Sequence, residues 1–182
     1  MLRITQNPRN DRFILEVIWL LPISECVKLN IDGCSKGNPG RSGFEGILRD
    51  SSGVVLGSFL GPIPVGTNYL AELNTFIYCA EYVVRKCFID VWIECDSFGI
   101  ILAIRSGLLP WCIQTRWKNV IASLNKFSWK ISHMYKQANT ATDKMAKIGC
   151  HMTSYQEWDT YPNSFRYHIS WDAAGKPIYK FK

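Results

Sequence analysis

Residues 28–40, KLNIDGCSKGNPG, constrain this chain more than any other stretch. Leu29 and Ile31 alternate with Lys28, Asn30 and Asp32, the period-two pattern of a strand with one apolar face. Gly-Asn-Pro-Gly then closes the strand in a tight loop. Asp32 falls inside the strand, on the face of Asn30 and Lys28. Aspartate is depleted in strands, and burying it without a partner costs free energy. Either Asp32 bonds a neighbouring group, or it is held there to bind a cation.

With 182 residues, 47% hydrophobic and 20% charged, the chain can bury the core of one folded domain with extensions, which excludes global disorder. Lysines and arginines number 21 against 15 acidic residues. Residues 1–26 balance three basic against three acidic side chains. Residues 97–142, in contrast, hold Arg105, Arg116, Lys118, Lys126, Lys130 and Lys136 and no acid. A one-signed run of that length is either a solvated face or the footprint of a polyanion. The seven cysteines make no CxxC pair and lack metal-ligand spacing, which suits free thiols in a reducing compartment such as nucleus or cytoplasm. The apolar run 13–23 is too short to span a bilayer and contains Glu16, so no membrane segment is expected. Arg3, Arg9 and Arg12 before it leave organelle targeting open.

Residues 1–26 read as an extended arm, halted at Pro22, whose Trp19 packs on the domain edge. After the first strand, runs 44–49 and 54–60 form a hairpin about Asp50-Ser-Ser-Gly53, and 61–66 is a loop. Thr67 or Asn68 caps a helix to about Lys86, with Glu72 in its first turn, where a carboxylate ordinarily serves the helix dipole. Residues 90–95 are a buried strand with Asp96 at its carboxyl end. Ser97 can cap the next helix, which is apolar nearly all round, is expected to be deeply packed, and ends at Gly107. Asp96-Ser97 is either a plain capping pair or part of a site at a strand end. Thr115 caps a further helix, with Trp111 and Trp117 both expected in the core. A fifth strand, 129–135, contains His133, and Asn139 to Thr142 open a last helix with Asp143 in its first turn. In the aromatic tail, 169–178 read as a strand and turn.

The order β-β-β-α-β-α-α-β-α predicts an α/β fold. Its five-stranded mixed sheet has strands one to three antiparallel, four and five parallel to strand one, and helices flanking it. Strands one and four become central neighbours, placing Asp32 beside Asp96. Clustered carboxylates repel one another and require a cation or protons. A donor set of oxygens alone favours magnesium or manganese over zinc.

IDGCSKGNPG, then AEL (71–73), ECDS (94–97) and YKQANTATDKMAKIG (135–149), resembles the type-1 ribonuclease H domain, and particularly its plant reverse-transcriptase-like branch from retroelements and their domesticated relatives. The resemblance covers 27–150, leaving 1–26 as an N-terminal arm and 151–182 as a C-terminal extension. It implies a ribonuclease H-like fold and a metal-dependent endonuclease that hydrolyses the RNA strand of RNA–DNA hybrids with two magnesium ions, manganese substituting. On the matching positions, Asp32, Glu72, Asp96 and Asp143 are the implied catalytic and metal-binding carboxylates. Asp32 would bridge the ions, and Glu72 would also reach the 2′-hydroxyl next to the cut. Gly33, Cys34, Ser35, Lys36, Gly37 and Asn38, with Ser97 and Asn139, are the implied nucleic-acid contacts. The partner is an RNA–DNA hybrid, with no membrane, and a monomer is expected.

Three departures bear on this. The loop before the last helix reads Lys136-Gln137-Ala138-Asn139, without the histidine of bacterial and animal members, and His133, within a strand, is expected to be packed. Thr142 precedes Asp143 where the family has alanine. Residues 104–115 leave no room for the basic protrusion of some members, so hybrid affinity is expected to be low, with a partner domain or protein compensating. The rival reading is a retroelement-derived nucleic-acid-binding module with little or no catalysis. A third is an interaction domain using the aromatic tail.

Overall fold

The computed structural model describes residues 3–6 and 13–181. Its centre is β3 (Val27–Gly37), hydrogen-bonded antiparallel to β4 (Gly40–Arg49) and parallel to β6 (Asp90–Cys95). β5 (Val55–Gly66), β7 (Ser128–His133) and β8 (Gln156–Trp158) complete a sheet of order β7-β6-β3-β4-β5-β8. The three antiparallel and two parallel strands expected are all present. The sixth arises because the tail returns and pairs β8 with Ser58–Leu60 of β5. Residues 61–66, expected as a loop, continue β5 instead, with Pro62 opposite Gly43. β8 covers only residues 58–60 of the other edge, so the amide hydrogens missing from Pro62 and Pro64 leave no ladder bond unmade there.

One face of the sheet carries Leu29, Ile31, Phe44, Leu48 and Phe59. It packs under α1 (Asn68–Lys86), α2 (Phe98–Ser106) and α3 (Trp111–Leu124). Thr67 caps α1 by accepting from the Leu70 amide at 3.2 Å, which places Glu72 in the second turn rather than the first. α3 starts four residues before Thr115, directly after Pro110, whose fixed φ favours helix entry. Trp111 therefore opens the helix and points out, 86% exposed, while Trp117 is in the core. α2 is packed through Ile100, Ile101 and Ile104 but leaves Phe98 and Leu102 about half exposed.

The opposite face holds Ile47, Val55 and Leu60 against α4 (Thr140–Gly149) and α5 (Arg166–Ala173). α5 stands where a strand was expected, and the chain then forms β9 (Ile178–Phe181). β9 pairs with β2 (Phe13–Val17), itself paired with β1 (Arg3–Gln6), in a separate three-stranded sheet.

A buried polar cluster lies on the Asn30 face of β3. Trp19 is 4% exposed. Its Nε1 donates to Asn30 Oδ1 at 2.9 Å, and its ring lies 3.9 Å from the Arg49 guanidinium and 4.9 Å from Lys28 Nζ. Arg49 also donates to Asn30 and pairs with Asp172 of α5. Lys28 pairs with Glu94 at 3.1 Å. Trp19, part of the arm, thus sits on the polar side of β3, where its indole N–H and ring face add to the partners that Asn30, Arg49 and Lys28 already have.

Candidate active site

Pairing of Ile31 with Cys95 brings Asp32, midway along β3, level with Asp96, which directly follows the carboxyl end of the parallel neighbour β6. Asp32 is 7% exposed and Asp96 half-buried. Glu72 arrives from α1, which crosses β3 closely at Gly33. A β-carbon at Gly33 would stand 2.7 Å from the Glu72 Cα and 2.5 Å from Thr75 Oγ1, so only glycine lets the helix approach there. Asp143 arrives from the first turn of α4 on the other face.

The four carboxylates act on one another. Burial first, then Asp96, Asp143 and Glu72, push the Asp32 carboxyl up to about 8, against the opposing effect of Lys136. Burial also raises Asp96, with Asp143 adding to it and Lys136 opposing. Burial raises Glu72, with Ser97 opposing and Asp96 adding. For Asp143, burial is outweighed by Lys147 and Lys136, which hold it below the usual range. Lys136 Nζ lies 3.0 Å from Asp143 Oδ1, and Lys147 bonds the other oxygen. Among the described residues, no three His, Cys, Asp or Glu converge closely enough to hold an ion as they stand. The donor set nonetheless fits a hard divalent cation. All its ligating atoms are oxygens, Glu72 Oε2 is buried with no partner among the described residues, and Asp32 is crowded by like charge.

The implied nucleic-acid contacts divide into two groups. Lys36, Gly37 and Asn38 are exposed at the tip of the β3–β4 hairpin, with Gly37 at a φ of 110°. Asn38 Oδ1 accepts from the Asn68 amide at 3.1 Å, and Asn68 Oδ1 accepts from the Ser35 amide at 3.2 Å. Lys36 bonds His151, and the Ser35 hydroxyl lies within bonding distance of the Gly37 and Gly66 carbonyls. Ser97 precedes α2 without a side-chain capping bond. The other group is internal. Gly33 is buried under α1, and the Cys34 carbonyl accepts from the Cys150 thiol at 3.4 Å. Asn139 is 2% exposed and donates to the Ile31 carbonyl at 3.1 Å, which ties the loop before α4 to β3, while its Oδ1 is buried without a partner among the described residues.

His133 is exposed, contrary to expectation, with Nε2 3.1 Å from the Asp96 carbonyl and its ring against Phe98 and Tyr135. It is the last residue of β7, where the sheet no longer covers it. Of the basic run, Arg105 donates to the Ile131 carbonyl and Arg116 pairs with Glu81, which leaves Lys118, Lys126, Lys130 and Lys136 exposed. Sequence reasoning missed Asn68, whose Nδ2 donates to Glu72 Oε1 at 3.2 Å, although its place four residues before Glu72 on a helix was a usable signal. It also missed Glu45, which no local pattern distinguishes.

Strand order, helix placement and the four carboxylates gathered about Asp32 on the central strand define a ribonuclease H-like domain. Residues 30–149 match the model of the reverse transcriptase-like family, and the chain belongs to that family. It is 29% identical over 175 residues to an Arabidopsis thaliana protein carrying a provisional ribonuclease H name, a match spanning 94% of this chain and 28% of that protein. A ribonuclease H of Chlorobium phaeovibrioides is 30% identical over 92 residues, 50% of this chain and 60% of the relative. The chain therefore spans less than two thirds of either curated relative. Ribonuclease H1 of Halobacterium salinarum superposes with a TM-score of 0.63 at 22% identity, over 69% of this chain and 98% of that one. A compost-derived ribonuclease H1 solved with an RNA/DNA hybrid superposes at 0.62 and 18% identity, over 69% and 96%.

Proposed function

We propose that this chain is an RNA–DNA hybrid endoribonuclease that hydrolyses the RNA strand at Asp32, Glu72, Asp96 and Asp143 with two divalent ions. The observation that carries the reading is the crowding of Asp32, midway along β3, by the other three carboxylates, Asp96 among them at the end of β6. Magnesium, or manganese in its place, would supply an activated water and charge neutralisation at the leaving oxygen.

The remaining work falls to side chains of the chain. Asp32, fixed on the central strand, would hold the ions together with Asp96 and Asp143. Glu72, steadied by Asn68, would offer its unpartnered oxygen to an ion and to the 2′-hydroxyl beside the cut. Asp143 has first to leave Lys136 and Lys147, whose ammonium groups then face the phosphates of the bound strand. Selecting RNA means sensing 2′-hydroxyls across a wide, shallow minor groove, and the exposed tip at Gly37 and Asn38 is the part of the hairpin free to do so. Lys118, Lys126 and Lys130 supply phosphate contacts, so binding weakens as salt rises. Seven free cysteines support a reducing compartment, nucleus or cytoplasm. We take the protein to act as a monomer.

The pairing of Asp143 with two lysines favours the rival, a binding module whose site no longer loads ions. End-labelled hybrid, double-stranded RNA and double-stranded DNA, each with magnesium and then with manganese, separate the two. The enzyme cuts only the RNA of the hybrid and leaves 3′-hydroxyl ends, whereas the module binds and leaves every strand intact.

A further inference from the structure

Glu45 of β4 is fully buried, and neither of its carboxylate oxygens has a hydrogen-bond partner among the described residues. It is the cross-strand partner of Asp32, so the two side chains leave the same face of the sheet. Cross-strand partners have β-carbons about 4.5–5.5 Å apart, and like charges so opposed destabilise the pair. Among the described residues, the charge that favours an ionised Glu45 is Arg49. The partner of Glu45 on the other side is Leu60, and the next residue on its own strand face is Ile47. Arg49, two positions further along that face, directs its two terminal nitrogens to Asp172 and Asn30, leaves its Nε buried without a partner among the described residues, and makes neither hydrogen bond nor ion pair with Glu45 there.

We propose that Glu45 is a fifth carboxylate of the divalent-ion site, a positioning residue that stands behind Asp32 and strengthens ion binding through it. The proposal rests on the four-carboxylate reading above. A buried carboxylate without a donor is tolerated where a cation is close, and among the described residues the cluster beside Glu45 that calls for one is the site of Asp32. Glu45 lies one strand further from the β3–β6 boundary than Asp32, so it acts from behind that residue, as outer partners of metal ligands do.

The test is manganese binding to the intact, chelator-stripped chain without nucleic acid, read by calorimetry and by electron paramagnetic resonance. The chains compared are the wild type, Glu45→Gln, Glu45→Met and Asp32→Asn. Loss of an outer partner costs about 10–100-fold in metal affinity, and a loss of that size is expected in both Glu45 variants with unchanged stoichiometry. Thermal unfolding adds a readout that a purely structural role would not move. In chelator, Glu45→Met, which removes the opposed carboxylate, unfolds no lower than wild type, yet its upward shift on adding manganese is smaller. Should either Glu45 variant lose its folded circular dichroism spectrum, the other carries the comparison, and loss in both contradicts the proposal. Wild-type manganese affinity in the Glu45 variants, with binding abolished in Asp32→Asn, overturns the role of Glu45 and spares the four-carboxylate site. Wild-type affinity in Asp32→Asn overturns that site itself.

Discussion

Asp172 of α5 and Arg49 of β4 meet at 2.9 Å across 123 residues of sequence, with side chains only 7% and 1% exposed. The pair fastens the C-terminal helix to the sheet that carries Asp32. Breaking a buried pair from one side leaves an uncompensated charge and costs about 3–5 kcal/mol. Asp172→Ala is therefore expected to lower unfolding stability by that amount in a urea titration. The double change Arg49→Met with Asp172→Leu recovers most of the loss.

Trp19 belongs to the same cluster. Trp19→Phe keeps a ring over Arg49 but loses the bond to Asn30 Oδ1, a loss of about 1 kcal/mol, since Arg49 still donates to that oxygen. Trp19→Ala opens a cavity and should cost about 3–5 kcal/mol. Chemical denaturation of both variants checks the ranking, and equal losses would mean that the bond, not the ring, fixes the arm.

Much of this architecture was legible in the sequence, because each element declared itself locally. The alternation through Asp32, the Thr67 cap of α1 and the glycine stop at Gly107 are short-range signals, and the structure places all three as read. Position along the chain also brought Asp32 and Asp96 together, since parallel strands with helical crossovers leave few arrangements. What was not legible depends on tertiary context. α5 has little amphipathic pattern of its own and is fixed by the Arg49–Asp172 pair and by Phe165 and Ile169 in the core. Asn139 reads as a loop residue and is buried because it bonds the Ile31 carbonyl. Glu45 lies in an apolar run, and only the register of β3 against β4 reveals that it faces Asp32.

The Asp32 carboxyl stands at about 8 in the folded chain against 3.8 ordinarily. The folded state keeps a proton that the unfolded state has released, so stability falls as pH rises from about 4 to 8. Asp96 and Glu72, also raised, add in the same direction, while the lowered Asp143 titrates below that window. In chelator, the unfolding temperature of wild type should drop from pH 5 to pH 8 more steeply than that of Asp32→Asn. Magnesium should oppose the drop most at pH 8. Calorimetry at three pH values is sufficient, and parallel slopes for the two chains would refute the assignment.

Gly33→Ala perturbs the site without removing a carboxylate. Its new methyl would lie 2.5 Å from Thr75 Oγ1 and 2.7 Å from the Glu72 backbone, so α1 has to move away from β3. Overpacking of this kind costs about 1–3 kcal/mol. Manganese titration of the variant should give weaker binding than wild type, because Glu72 moves with the helix. Unchanged binding would place Glu72 outside the ion site.

The most direct measurement is a time course of cleavage of an RNA strand labelled at its 5′ end and annealed to DNA, in magnesium, with wild type, Asp32→Asn and Asp96→Asn at matched hybrid occupancy. Wild type should shorten the RNA and leave the DNA whole, while both variants bind the hybrid and leave the RNA intact. RNA that stays intact with wild type in excess, in magnesium and in manganese alike, or that either variant cuts as fast as wild type, would contradict the account.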